Sequence, residues 1–383
     1  MEPDDLLVSS VKSNCDIADA RSWGLYSVCG LLMRLRELYY SEHGLRPWQK
    51  VENARIAGWI GEREALWGEI DGRPFGPVEI KGSKVETGGG VKADNPEEAA
   101  RFDAFDSAGI NRVLIDRGLV YAAGYGPHLR ATFFLADVIG SETEDGLEIY
   151  TCGREYARDL SAAAAMLAGD CVFARLEANE NLIWQKFEEY RAKPSGLLRA
   201  AFSYYGVAPG IAQRAGAAPE AGPEMTDMLS AVSREELRTY IRHELGEAAE
   251  RKRLGPAWSE MLMETREAKH AMYLRALKDV LADTCPEGML RYIMDGKKTG
   301  SLAFYAAFLA GYRKLLSVKI EKAVGLFLEK GTDGPREGWA VVERAVDETY
   351  RQTKEIGSEI VRIHFSGGSP AQFIGDAIKK TAP

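Results

Sequence analysis

The stretch GVAPGIAQRAGAAPEAGPEMTDM, residues 206–228, decides how the fold is read. Gly206, Pro209, Gly210, Gly216, Pro219, Gly222 and Pro223 interrupt it, and no apolar residue recurs at a regular spacing. Glycine and proline at that density favour irregular chain, so the segment reads as a linker. On its C-terminal side, apolar residues recur every three or four positions over 229–252, 257–282, 301–329, 336–364 and 370–380, which predicts amphipathic helices. On its N-terminal side, helical and alternating patterns are mixed. The expectation is an α+β, helix-dominated fold. An α+β domain with a small, mostly antiparallel sheet covers 1–193, a Gly/Ala/Pro-rich linker region covers 194–228, and a helical bundle covers 229–383.

Within the N-terminal part, residues 1–13 read as a polar arm. Leu25, Val28, Leu32, Leu35 and Tyr39 mark one face of a helix over Trp23–His43, and a second helix runs from Pro47 to Trp67. The glycines between Arg73 and Lys92 suggest a strand and a loop. Asp94-Asn95-Pro96-Glu97-Glu98 resembles a helix start, predicting a helix that closes at Gly118. Leu119–Tyr125, Arg130–Ile139, Leu147–Cys152 and Cys171–Leu176 carry strand character, and a helix is expected over Glu155–Ala168. Ser233 with Glu236 has the spacing of a capping box.

Bulk composition sets limits. The chain has 383 residues, 45% hydrophobic and 28% charged, with a net charge of −8. An acidic surface repels a phosphate backbone, so nucleic acid is not expected as a partner. No run of 18 apolar residues occurs, so no membrane span is expected. The acidic first twelve residues do not resemble an export signal, and the five cysteines form no CxxC pair. A reducing cytoplasm is the expected location. Signatures for phosphate loops, dinucleotide binding, zinc proteases and serine hydrolases are absent from the sequence, and no cofactor is implied.

The densest polar chemistry lies at Asn14-Cys15-Asp16-Ile17-Ala18-Asp19-Ala20-Arg21. Cys15 near a helix start is a candidate thiolate nucleophile, with His128 as base and Asp19 or Arg21 orienting it. Asn14, Arg21, Arg34, Arg154 and Arg158 are candidate ligand-binding residues for an anionic small molecule or a protein partner. A structural ion-pair network is the favoured alternative, because a buried arginine must be paired. In the helical half, Glu236, Tyr240, His243 and Glu247 share a narrow helix sector, and Glu267 with His270 forms an ExxH. Both are weak metal-ligand candidates. The pattern alone favours a surface ion-pair ladder for the first and a solvated face for the second.

The N-terminal segment, together with Tyr26, Cys29, Leu31-Leu32-Met33-Arg34, Trp59, Arg63-Glu64, Trp67, Phe133-Phe134-Leu135-Ala136 and Arg154–Leu160, resembles an uncharacterised bacterial protein family of unknown function. The resemblance covers mainly residues 14–190. It implies a bacterial cytoplasmic protein of two parts and assigns no residue a role. The functional expectation is a ligand- or partner-binding adaptor that uses a buried Arg/carboxylate cluster and is able to form homo-oligomers. A thiolate enzyme and a helical metal-binding protein are the alternatives.

Overall fold

The computed structural model describes residues 3–82, 99–126, 130–161, 163–194, 196–207, 222–329 and 335–381. The chain divides into two compact units, Met1–Trp184 and Gln185–Pro383. The fold is α+β and helix-dominated, with its strands in the first unit.

The first unit opens on α1 (Asp5–Ser22), so the expected polar arm is in fact helix. The Asp4 carboxylate accepts from the Leu7 amide at 2.9 Å and caps it. Leu7, Val11, Cys15 and Ala18 lie four, eight and eleven apart and are buried together. Interleaved serines and Lys12 dilute that stripe in the sequence. The helix expected from Trp23 starts only at α2 (Val28–Glu42), where the Ser27 hydroxyl accepts from the Gly30 amide. Leu35 and Tyr39 are buried as expected, but Leu25, Val28 and Leu32 face solvent. Helix α3 (Asn53–Ile70) follows. Ile17, Leu35, Leu38 and Trp67 form the core shared by these three helices, with Trp59 packed against it.

Strand β1 (Val78–Ile80) pairs antiparallel with β2 (Ala100–Phe102). The helix expected to run to Gly118 is therefore shorter. Residues 100–102 are strand, α4 (Ser107–Leu114) is capped by Asp106, and 94–98 lie outside the described residues. The main sheet is β3 (Leu119–Tyr125), β4 (Ala131–Glu144), β5 (Leu147–Arg158), β6 (Ala165–Ala168) and β7 (Cys171–Arg175), in the order β3-β4-β5-β7-β6. All neighbours are antiparallel except β5 and β7, which are parallel. Asp145 and Gly146 both take positive φ in the β4–β5 turn, as a tight hairpin requires. The helix expected over Glu155–Ala168 is absent, since β5 continues to Arg158 and residues 165–168 form β6. Glu155 pairs across strands with Arg175 on β7, which its i,i+3 spacing to Arg158 disguised as helical pairing. Helix α1 packs over β4 and β5. Helix α5 (Leu176–Ala192) leads out of the sheet.

The second unit is helical throughout its described residues. It comprises α6 (Gly196–Tyr204), α7 (Pro223–Leu254), α8 (Pro256–Glu264), α9 (Ala268–Thr284), α10 (Met289–Asp295), α11 (Thr299–Phe308), α12 (Gly311–Leu316), α13 (Val318–Glu329), α14 (Pro335–Phe365) and α15 (Ala371–Thr381). The stretch 194–228, read as a linker, holds α6 with Leu198, Ala201 and Phe202 buried, and α7 begins at Pro223. Residues 208–221 lie outside the described residues. Ser233 is not a cap: it sits inside α7, its hydroxyl donating to the Leu229 carbonyl. The helix expected over 257–282 breaks before Glu267, whose carboxylate caps α9 by accepting from the Lys269 and His270 amides.

Candidate functional site

In the first unit, the C-terminal half of α1 lies on β4 and β5 and brings most of the N-terminal polar residues into the interior. Asn14 is clamped to Gly76, its amide donating to the carbonyl at 2.9 Å and its oxygen accepting from the amide at 2.8 Å. The Cys15 thiol donates to the Phe133 carbonyl and is 1% exposed. Burial first, then the charges of Asp159, Asp19 and Asp16, push that thiol well above the usual range. The side chain is therefore held as a thiol, contrary to the thiolate expected of it. Asp19 accepts from the Leu160 amide at 2.9 Å. Burial and the neighbouring Asp159 charge push it well up. His128, the base paired with it in the sequence reading, lies outside the described residues.

The arginines do not converge on one pocket. Arg21 is exposed, stacks over Phe75 at 4.5 Å and donates to the Arg73 carbonyl. Arg34 pairs with Glu37 at 3.0 Å, and Arg154 stacks over Tyr156. Arg158 is buried and donates to the Asp159 and Ser161 carbonyls at 3.1 and 2.7 Å. Arg175, which the sequence reading passed over, grips Glu155 with two 2.7 Å hydrogen bonds. Burial disfavours the Glu155 charge, but Arg175 and Arg158 hold its carboxyl below the usual range. Arg63 joins Asp16 to Glu42. Protein groups thus engage the carboxylates and most of the guanidinium donors, which is the arrangement of an internal ion-pair network.

The second unit holds a more open constellation. Along α7, Glu236, Tyr240, His243 and Glu247 do not form the surface ladder their pattern favoured, because α9, α11 and the Arg313 side chain cover them. Glu236 is 3% exposed and accepts from Ser301 at 2.6 Å and from Tyr205. Burial pushes its carboxyl up to about 7. His243 Nδ1 meets Asp283 at 2.7 Å, and Asp283 also accepts from Arg313 at 2.8 Å. Burial opposes the imidazolium charge, but Asp283 outweighs it and pushes His243 up to about 9. Glu247 binds the Lys278 ammonium, which also lies 3.6 Å from Asp279.

These contacts pair 243 with 283 and 247 with 278, so α7 and α9 run antiparallel. Gly246 sets their separation. A methyl group there would overlap the Ala282 carbonyl oxygen. The close crossing brings one donor atom each from His243, Glu247 and Asp279 within 4.8 Å of one another, all three partly exposed. Glu244 stands beside them, 8% exposed and without a hydrogen-bond or ion-pair partner among the described residues. Burial and the Glu247 charge push it up toward about 7. Glu244, Asp279 and Asp283 went unnoticed in the sequence. The i,i+3 and i,i+4 carboxylate spacings were the available signal. Glu267 and His270 pair with each other at 3.0 Å on the first turn of α9, apart from this cluster.

A different kind of surface lies at the start of α2. Trp23, Leu25, Val28, Leu32 and Met33 are each about half or more exposed, up to 76% at Val28. Exposed Cys29 sits among them.

The chain belongs to a family of unknown function, DUF6866. Residues 6–88 and 93–175 match its N-terminal domain and residues 180–380 its C-terminal domain. No curated protein and no solved structure matches the chain.

Proposed function

We propose that this member of the family is a ligand-binding protein whose helical unit holds a divalent cation between α7 and α9. The observation that carries the reading is the convergence of His243, Glu247 and Asp279 within 4.8 Å, beside the buried Glu244. One nitrogen and several carboxylate oxygens suit Mn²⁺ or Zn²⁺ better than Mg²⁺. Bonds of about 2.1 Å set donor atoms roughly 3–3.5 Å apart, so side-chain rotations of about 1 Å close the site. Asp283 on Nδ1 orients the His243 ring and leaves Nε2 for the ion. Binding exchanges the Lys278 ammonium for the metal charge at Glu247. The α1 cluster contributes stability in this account. The five free thiols are in keeping with a cytoplasmic setting.

The test is thermal unfolding of chelator-treated protein with and without Mn²⁺. The wild type is expected to melt at higher temperature with the ion. In Glu247→Gln/Asp279→Asn the concentration needed should rise at least about tenfold. An unchanged wild-type Tm at millimolar Mn²⁺ and Zn²⁺ overturns the reading.

A second observation favours a protein contact as well. The apolar tip at 23–33 exposes Trp23, Leu25, Val28, Leu32 and Met33 together, and contiguous exposed apolar side chains mark contact surfaces. We propose a second copy of the chain as its occupant. Light scattering should then report a dimer at micromolar concentration, and Val28→Glu/Leu32→Glu should report a monomer. A monomeric wild type at ~100 µM rules this contact out.

A further inference from the structure

We infer that Lys278 is a built-in competitor for the cation centre and sets its selectivity, a tethered ammonium that fills the empty site and yields only to divalent ions. The inference rests on the cation reading above and names what an ion must displace. Lys278 stands one position before Asp279 on α9 and reaches across to α7. Its ammonium contacts Glu247 and lies 3.6 Å from Asp279. Those are the two carboxylates that converge with His243 within 4.8 Å. An ion bonded to both at about 2.1 Å stands in the space the ammonium holds. Like charges at such range repel strongly, so the two occupants exclude each other. Arg313 is not the competitor, because Asp283 holds it at 2.8 Å and it stands 3.9 Å from Asp279.

The pair is placed to open. The Lys278 and Glu247 side chains are 25% and 22% exposed, and an ion pair open to water to that degree holds weakly. The flexible four-carbon stem lets the ammonium swing to solvent without moving the helix. Charge then decides what drives the exchange. A divalent ion brings two charges to carboxylates that the ammonium meets with one. A free Na⁺ or K⁺ ion carries the same single charge as the ammonium. It gives up hydration to bind and lacks the tether that keeps the ammonium at high local concentration. Only molecules with the lysine swung out can take an ion, so the affinity observed is the intrinsic one reduced by that fraction. Lys278 therefore sets the concentration at which the site fills.

The test titrates the chelator-treated full chain with Mn²⁺, as wild type and as Lys278→Gln. The variant should bind Mn²⁺ about tenfold or more tighter than wild type. It should also melt lower without the ion, because Glu247 and Asp279 then lose their shared counter-charge. A lysine that only stabilises the fold would lower the melting temperature and bring no gain in affinity. A second measurement needs no variant: acetylation of amines in the wild type, read by peptide mass mapping. Labelling of Lys278 should be slow in ion-free protein, quicken at saturating Mn²⁺ and stay slow in K⁺ at equal ionic strength. Mn²⁺ binding that is no tighter in Lys278→Gln, or Lys278 labelling that Mn²⁺ does not quicken or that K⁺ quickens equally, overturns this inference alone. No Mn²⁺ binding by the wild type overturns the cation reading and this inference with it.

Discussion

At the scale of single residues, burial decides which titratable groups are reactive. Cys15 looks like a nucleophile near a helix start in the sequence, yet it is enclosed and surrounded by carboxylates that oppose the thiolate. Native-state alkylation near neutral pH should label exposed Cys29 first and partly exposed Cys171 next, and reach Cys15, Cys152 and Cys285 only on unfolding. Rapid labelling of Cys15, followed by peptide mass mapping, would contradict its placement. Glu236 gives a pH-dependent test. Its folded-state value, about 7, lies above the unfolded value near 4.5. Its contribution is therefore fully present below pH 4.5 and is lost as pH rises through 7, where ionisation costs on the order of 3 kcal/mol. Glu236→Gln removes that loss. The stability of the variant relative to wild type should improve by about this amount between pH 4.5 and 8, read by urea unfolding. A difference that does not change with pH would mean Glu236 ionises freely.

At the scale of elements, the site depends on how closely α7 approaches α9. Gly246→Ala should force the two helices apart, cost ~1–3 kcal/mol and weaken cation binding together with stability. A variant as stable as wild type would show that the crossing is looser than described. The same scale explains what the sequence could disclose. Strand β3 was legible to its ends because Gly118 and Gly126 bound a short apolar run. The first half of α1 was not, since Leu7 and Val11 are only two apolar positions among serines and a lysine. At Glu155 and Arg158, an i,i+3 charge pair looks helical although the partner that matters is Arg175 on β7, 20 positions away. The stripe on α7 was visible at its spacing of four, seven and eleven. Its burial was not, because Tyr205, Asp283, Ser301 and Arg313 come from distant parts of the chain.

At the scale of the whole molecule, the two units hold charge in different ways. The first closes its arginines and carboxylates into an internal network beneath α1. The second leaves His243, Glu247 and Asp279 part-exposed beside the buried Glu244, the constellation at which we propose a cation. His243 and Glu244 carry protons near neutral pH that an ion must displace, so cation affinity should rise with pH between 6 and 8. The most direct test is anomalous diffraction at the manganese edge from crystals of the full chain grown with Mn²⁺. The account predicts a peak about 2.1–2.3 Å from His243 Nε2 and from carboxylate oxygens of Glu247 and Asp279. Well-ordered density for these side chains with Lys278 still seated between the carboxylates, and no anomalous peak, would contradict it.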